Sequence, residues 1–313
     1  MGLWGPGASV RRVSDAAGVW DGRGLPPAAA ARLERARRSG VRTSLLSVDS
    51  QAGLDLCGLV PVGEVMGTTV QHLGWQGYAG CGWAVGWGGV APVRTEVALP
   101  GSRLAFAPYL NALDAAWHTA IGRMLAECRA LGGDGVVGVR LEEQGLGQAN
   151  REFLALGTAV RSLGATHLER PFATTLGGAD VAKLLHAGWA PAGVLVCLSL
   201  GVRHDDARTY QATMWSAGNI EVPGYTELVG TVREADRQLL AHRCAELGAD
   251  GAILTTPMRV EIHELEVADG HRDHAALASL VATAVAAVGT PRSPQGGAAS
   301  LAVLPLDRRQ KTR

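Results

Sequence analysis

CRALGGDGVV (Cys128–Val137) and CAELGADGAI (Cys244–Ile253) are two versions of one pattern, 116 residues apart. Upstream of the first, Leu110, Leu113, Trp117, Ile121, Met124, Cys128 and Leu131 recur at the three-and-four spacing of an amphipathic helix. Upstream of the second, Leu228, Val232, Ala235, Leu239 and Leu247 do the same. Each helix runs into Leu-Gly, where Gly132 or Gly248 can take the left-handed conformation that closes a helix. Asp134-Gly135 and Asp250-Gly251 then turn the chain into a strand, expected over Val136–Leu141 in one case and Ala252–Val260 in the other.

Working outward, CGLVPVGEVM (Cys57–Met66) returns as AGWAPAGVLV (Ala187–Val196) at an offset of 130, and GTAVR (Gly157–Arg161) as ATAVA (Ala282–Ala286) at 125. The changing offsets place 14 extra residues between strand and helix of the first copy and nine in the late hairpin of the second. The opening strands fall at Leu59–Met66 and Gly193–Leu200. In the last hairpin Met258, Val260 and Ile262 alternate with Arg259, Glu261 and His263, the pattern of a half-buried strand, and Asp269-Gly270 supplies the turn. Each copy therefore reads strand, helix, strand, strand. The expected fold is α+β, two tandem two-layer modules with one helix on each antiparallel sheet. So small a module leaves sheet edges open, and pairing with its twin or with other subunits is expected.

The length, 313 residues, leaves room for two modules over 43–165 and 171–289, flanked by basic tails over 1–42 and 290–313. The tails carry net charges of +5 and +4 while the whole chain is neutral, so the body is acidic. Neither tail interleaves aromatics with its charges, which argues against nucleic acid and for solvated, poorly ordered segments. They could also contact a protein partner. The longest charge-free apolar runs, Ala187–Val202 and Ala275–Thr290, are about 16 residues, short of the roughly 20 that cross a bilayer. Five widely spaced cysteines and no secretory leader pattern fit a reducing, cytoplasmic compartment.

The PVG-type first strand, the helix end ALGGDGVVGVR and the closing GTAVR together resemble the YbjQ-like family of heavy-metal-binding domain proteins. The resemblance covers about residues 43–162, with a more diverged second copy over about 171–288. It implies a small subunit with an antiparallel sheet, assembly into a ring, commonly a pentamer, and a role in binding metal. No ligand or catalytic signature carries over. The second copy departs from the pattern where VVGVR becomes AILTT and GTAVR becomes ATAVA.

Candidate chemistry is sparse. No CxxC, HExxH, GxSxG or Walker A pattern occurs, and only Lys183 and Lys311 are lysines, so the chain is expected not to be an enzyme. A divalent transition metal would find its ligands at His271 and His274, with Asp273 between and His263 on the preceding strand, or at His204-Asp205. Cys81 is the thiol expected to be exposed and so the candidate thiol ligand for a soft metal. Cys128 and Cys244 lie on the helix stripes and read as packing. The insert GWQGYAGCGWAVGWGG carries Trp75, Tyr78, Trp83 and Trp87, an aromatic contact for a ligand or partner, or a loop that buries its own rings. The expected function is that of a ring-forming binding protein for a metal or small ligand, with a metal-free structural scaffold as the alternative.

Overall fold

Two long helices and two mainly antiparallel sheets alternate as layers in the computed structural model, which describes residues 20–39, 44–74, 95–165, 167–266, 272–288 and 304–305. The first half runs α1 (Pro27–Ser39), α2 (Val48–Leu56), β1 (Leu59–His72), β2 (Thr95–Ala98), α3 (Ala107–Ala130), β3 (Gly135–Gly145) and β4 (Asn150–Ser162). The second runs β5 (Phe172–Ala173), α4 (Gly178–His186), β6 (Trp189–His204), α5 (Ala207–Ala212), α6 (Pro223–Glu246), β7 (Gly251–Ile253), β8 (Arg259–Glu266), β9 (Arg272–Ala287) and β10 (Leu304–Pro305). The architecture is α+β, and the expected strand, helix, strand, strand order appears in each half.

The shared motifs do corresponding work. Register shifts at Pro61/Gly63 and at Pro191/Gly193 mark a bulge in each opening strand, where proline withholds an N–H and the strand bends. Gly132 (φ 71°) and Gly248 (φ 66°) end the long helices in the left-handed region. One residue later Gly133 and Ala249 donate back to the carbonyls of Cys128 and Cys244 at 2.9 Å, closing a Schellman turn. Asp134 and Asp250 each accept a backbone N–H at the end of the neighbouring strand, from Ser162 and Ala287, both at 2.8 Å. The aspartates are therefore structural pins.

The first sheet has the order β1-β4-β3-β5, the second β10-β7-β9-β6-β2, with β8 also on β9. Each sheet borrows a strand across the sequence boundary. β2, from the first half, pairs with β6 from Thr95↔Arg203 to Ala98↔Leu200. β5, from the start of the second half, pairs with β3. The helices follow suit: α3 packs on the first sheet through Met124, Ala120 and Cys128, and shares one continuous core with Val196, Leu198, Leu200 and Val202 of β6. The layer order is first sheet, α3, second sheet, α6. The expected helix lies on each sheet, α3 on the first and α6 on the second, and α3 in addition covers the other face of the second sheet.

Two differences from the sequence reading have simple causes. The strand expected over Ala252–Val260 is broken into β7 and β8, because the chain from Ile253 to Arg259 spans two residues more than its partner on β9 from Thr283 to Ser279, with Pro257 in the excess. Within the stretch expected to be a poorly ordered tail, residues 27–39 form α1. It buries Leu33, and Arg32 pairs with Glu127 of α3.

Candidate functional site

Polar side chains gather where β6 ends and β9 begins. The antiparallel register sets Arg203 opposite His274 and His204 opposite Asp273, and β8 sets Glu264 opposite His274. Successive strand residues point to opposite faces, so Arg203, His274 and Glu264 lie toward α6, and His204 and Asp273 toward α3. Past the end of β6, Asp205 is held by its N–H to the Arg272 carbonyl at 2.9 Å. Asp206 caps α5 by accepting the Thr209 N–H at 2.7 Å. Gly224, in the first turn of α6, lets that helix approach so closely that a Cβ there would strike Thr209 Oγ1.

The result is two reciprocal imidazole–carboxylate pairs. His204 Nδ1 lies 2.8 Å from Asp273 Oδ1, and His274 Nδ1 lies 3.1 Å from Asp205 Oδ1. Asp273 and Asp205 are almost wholly shielded from solvent. Burial pushes the Asp205 carboxyl above the ordinary carboxylate range, against the lowering pull of His274 and Arg272. Arg272 Nε stands 3.7 Å from Asp205 Oδ2, and its guanidinium lies over the Tyr210 ring at 5.4 Å. On the same face Arg203, 5% exposed, donates to Glu227 Oε2 at 2.6 Å and lies 3.4 Å from Asp206. The charges are matched internally, as buried charges must be.

Tyr225 decides how this cluster could act. Its hydroxyl is 2.8 Å from His274 Nε2 and 3.3 Å from Nδ1, with ring centroids 4.6 Å apart and planes tilted by 50°. Two such similar distances put the oxygen beside the imidazole face, out of line with either nitrogen's lone pair. A carboxylate–imidazole–hydroxyl relay needs an in-line contact at Nε2. Burial also raises the phenol, with Asp205 adding to the shift, so Tyr225 stays protonated. The geometry is that of a packed polar plug over the open end of the second core.

Of the expected ligands, His274 and Asp205 come together, and His204 sits on the opposite face with Asp273. His263 is opposite Ala275, on the other face from His274, with Glu261 as its neighbour at 3.8 Å. His271, Cys81, Trp75, Tyr78, Trp83, Trp87 and the Asp269-Gly270 turn lie outside the described residues. Among the described residues no three His, Cys, Asp or Glu side chains converge as a metal would require. Cys128 and Cys244 are buried, each with its thiol toward a strand carbonyl, Gly135 at 3.4 Å and Gly251 at 3.8 Å. Burial pushes the Cys128 thiol, and that of Cys197, up to about 12. Sequence reasoning missed Tyr225, Arg272 and Arg203. The available signal was Arg-His-Asp at 203–205 set against Arg-Asp-His at 272–274, two strand ends of opposite order that antiparallel pairing brings into register.

Residues 101–162, which span α3, β3 and β4, match the YbjQ family described as "Putative heavy-metal-binding". The helix-and-hairpin unit of the first half is thus similar to this class of domain. Over 237 residues the chain is 34% identical to the encapsulin nanocompartment protein Rv1762c of Mycobacterium tuberculosis, covering 73% of this chain and 81% of that protein. The chain belongs to the family of that protein. No helix among the described residues is long and apolar enough to cross a membrane.

Proposed function

We propose that the protein is a non-enzymatic, self-associating protein of the cytoplasm whose two halves are copies of one YbjQ-like module. The observation that carries this reading is the exchange of β2 and β5: each sheet is completed by a segment from the other half. Modules built to complete one another in this way are suited to doing so between chains. The name of the mycobacterial relative, a nanocompartment protein, points the same way. The side-on contact of Tyr225 with His274 supports a non-catalytic role. Reduced, buried Cys128, Cys197 and Cys244 suit a reducing compartment.

A second reading, in which the assembly holds a divalent transition metal, is favoured by one observation. The His274–Asp205 pair already sets one imidazole nitrogen and one carboxylate side by side, donor types that a borderline cation takes. Native mass spectrometry of untagged protein purified without chelator, with elemental analysis of the same sample, tests both. A closed oligomer without metal supports assembly alone. The same oligomer with about one metal per chain adds the second reading. A single-chain mass overturns the proposal.

A further inference from the structure

The second sheet shows how this fold closes a bare sheet face. Val194, Val196, Leu198, Leu200 and Val202 of β6 face α3, a helix that belongs to the other half of the chain. At the corresponding places in β1, by the offset of 130, stand Glu64, Met66, Thr68, Val70 and His72. These lie on the far side of the first sheet, because Val65 is in the core and a Cβ at Gly67 would run into the α3 backbone. The strand register adds Glu152, Leu154 and Leu156 of β4, with Arg140 and Glu142 of β3, to that face. Among the described residues α2 and α4 cover its end at Val137 and Val160 through Leu54, Val181 and Leu184, and the stretch from Met66 to His72 is left without a helix. Val70 is exposed, and Met66, Leu154 and Leu156 are only partly covered.

The long helices differ in the complementary way. Where α3 has Leu110, Trp117 and Ile121, α6 has Thr226, Arg233 and Arg237 at the offset of 116. All three α6 positions are exposed. These positions have thus turned from apolar in α3 to polar or basic in α6, where Arg237 lies 3.5 Å from Glu234, and the outer face of the first sheet carries Glu64, Glu142 and Glu152 with Arg140. The adjoining strand contact is also half present. β2, ahead of α3, pairs with Leu200–Arg203, whereas the corresponding edge of β1 around Val70–His72 carries no strand among the described residues. Ahead of α6, Trp215 and Ile220 are exposed.

We infer that the outer face of the first sheet receives α6 of a second copy of the chain, as the second sheet receives α3 within the chain. This rests on the assembly reading above and names its contact. The in-chain contact is apolar and permanent; the contact between chains is charged and reversible. It is also head-to-tail, so each copy offers one donor and one acceptor, and the series can close into a ring.

The test uses the full chain in native mass spectrometry and sedimentation, with circular dichroism to confirm folding. The wild type should form an oligomer at low salt that dissociates at about 0.5 M salt, where exposed charges are screened. Arg233→Glu combined with Arg237→Glu should weaken assembly at least about tenfold with unchanged dichroism. Glu64→Lys combined with Glu152→Lys should do likewise, and mixing the two charge-reversed proteins should restore assembly. If the wild type is an oligomer that both double variants leave intact, the contact is wrong and the assembly reading stands. A wild type of single-chain mass removes both.

Discussion

Helices α3 and α6 have the same length, 24 residues, both open on proline and both end in the same glycine turn, yet one is interior and the other is a lid. The difference lies in how much of each circumference is apolar. Both carry the stripe that faces their own sheet, but α3 continues it through Leu110 and Ile121, and α6 replaces these with Thr226 and Arg237. Layer order therefore follows from the width of the apolar arc and not from helix length or capping. The same contrast recurs at the edges of the opening strands. Glu127 of α3 accepts the Met66 N–H at 2.8 Å, and at the corresponding place Arg243 of α6 donates to the Val196 carbonyl. Opposite charges answer one need, an edge backbone group that would otherwise go unpaired. Arg32 balances the first, and Asp114, at 2.7 Å, the second.

The largest way to sharpen the comparison is at Asp236, which lies on the buried side of α6 where α3 has Ala120. Burial pushes its carboxyl up to about 7, with Ser199 and Arg243 only partly opposing. A carboxyl raised in the folded state stabilises fully below its unfolded value, and that contribution is lost as pH rises through the folded value. A shift of about three units amounts to about 4 kcal/mol, lost between about pH 4 and pH 7. In Asp236→Ala, urea unfolding at pH 4.5 and pH 8 should show this slope removed. Equal slopes in variant and wild type would defeat the assignment.

Next in size is an exchange of partners under the two helices. Gly67 in the first sheet corresponds to Cys197 in the second, and only the glycine has a helix backbone lying on it. Gly67→Cys should destabilise by about 3 kcal/mol, measured by the urea midpoint, because the backbone cannot yield. Cys197→Gly should cost about 2 kcal/mol through the cavity it leaves. Reversal of that order would mean that α3 does not sit closer to its sheet than α6 does.

A smaller effect separates the helix arcs themselves. Ile121→Arg, the residue that α6 has, should cost about 2 kcal/mol, while Arg237→Ile should change stability by less than about 0.5 kcal/mol. Thermal unfolding in dilute protein reads both. The smallest expected change is at the polar plug. Tyr225→Phe should cost less than about 1 kcal/mol, because the side-on contact with His274 falls short of an in-line hydrogen bond. A loss several times larger would show the hydroxyl to be a central member of the cluster.

Much of this architecture was legible because local chemistry wrote it. The Leu-Gly helix ends and the alternation of β8 each follow from a few neighbouring residues, and each appears where expected. What escaped was long-range. Nothing near Thr95–Ala98 says that this strand joins a sheet built from residues 189–287, since pairing partners are set by layer packing. The second apolar side of α3 was visible as Leu110 and Ile121 but read as part of one broad stripe. The polar cluster was half legible. His204, Asp205, Asp273 and His274 were noticed in two separate groups, and only the β6–β9 register joins them. Tyr225 lies 49 residues from His274 and meets it through the fold of α6 onto the sheet.

The placement of α3 between two sheets also has a consequence in time. Its own sheet can form once β4 has left the ribosome, but the sheet that covers its other side waits for β9. About 125 residues separate the end of β4 from the end of β9, and at roughly 5–20 residues per second the apolar flank of α3 stays bare for on the order of 6–25 seconds during synthesis. For that interval the nascent chain presents a sticky helix with no partner of its own yet made, so its yield in the cell depends on chaperone capacity and translation speed as much as on the stability of the finished fold.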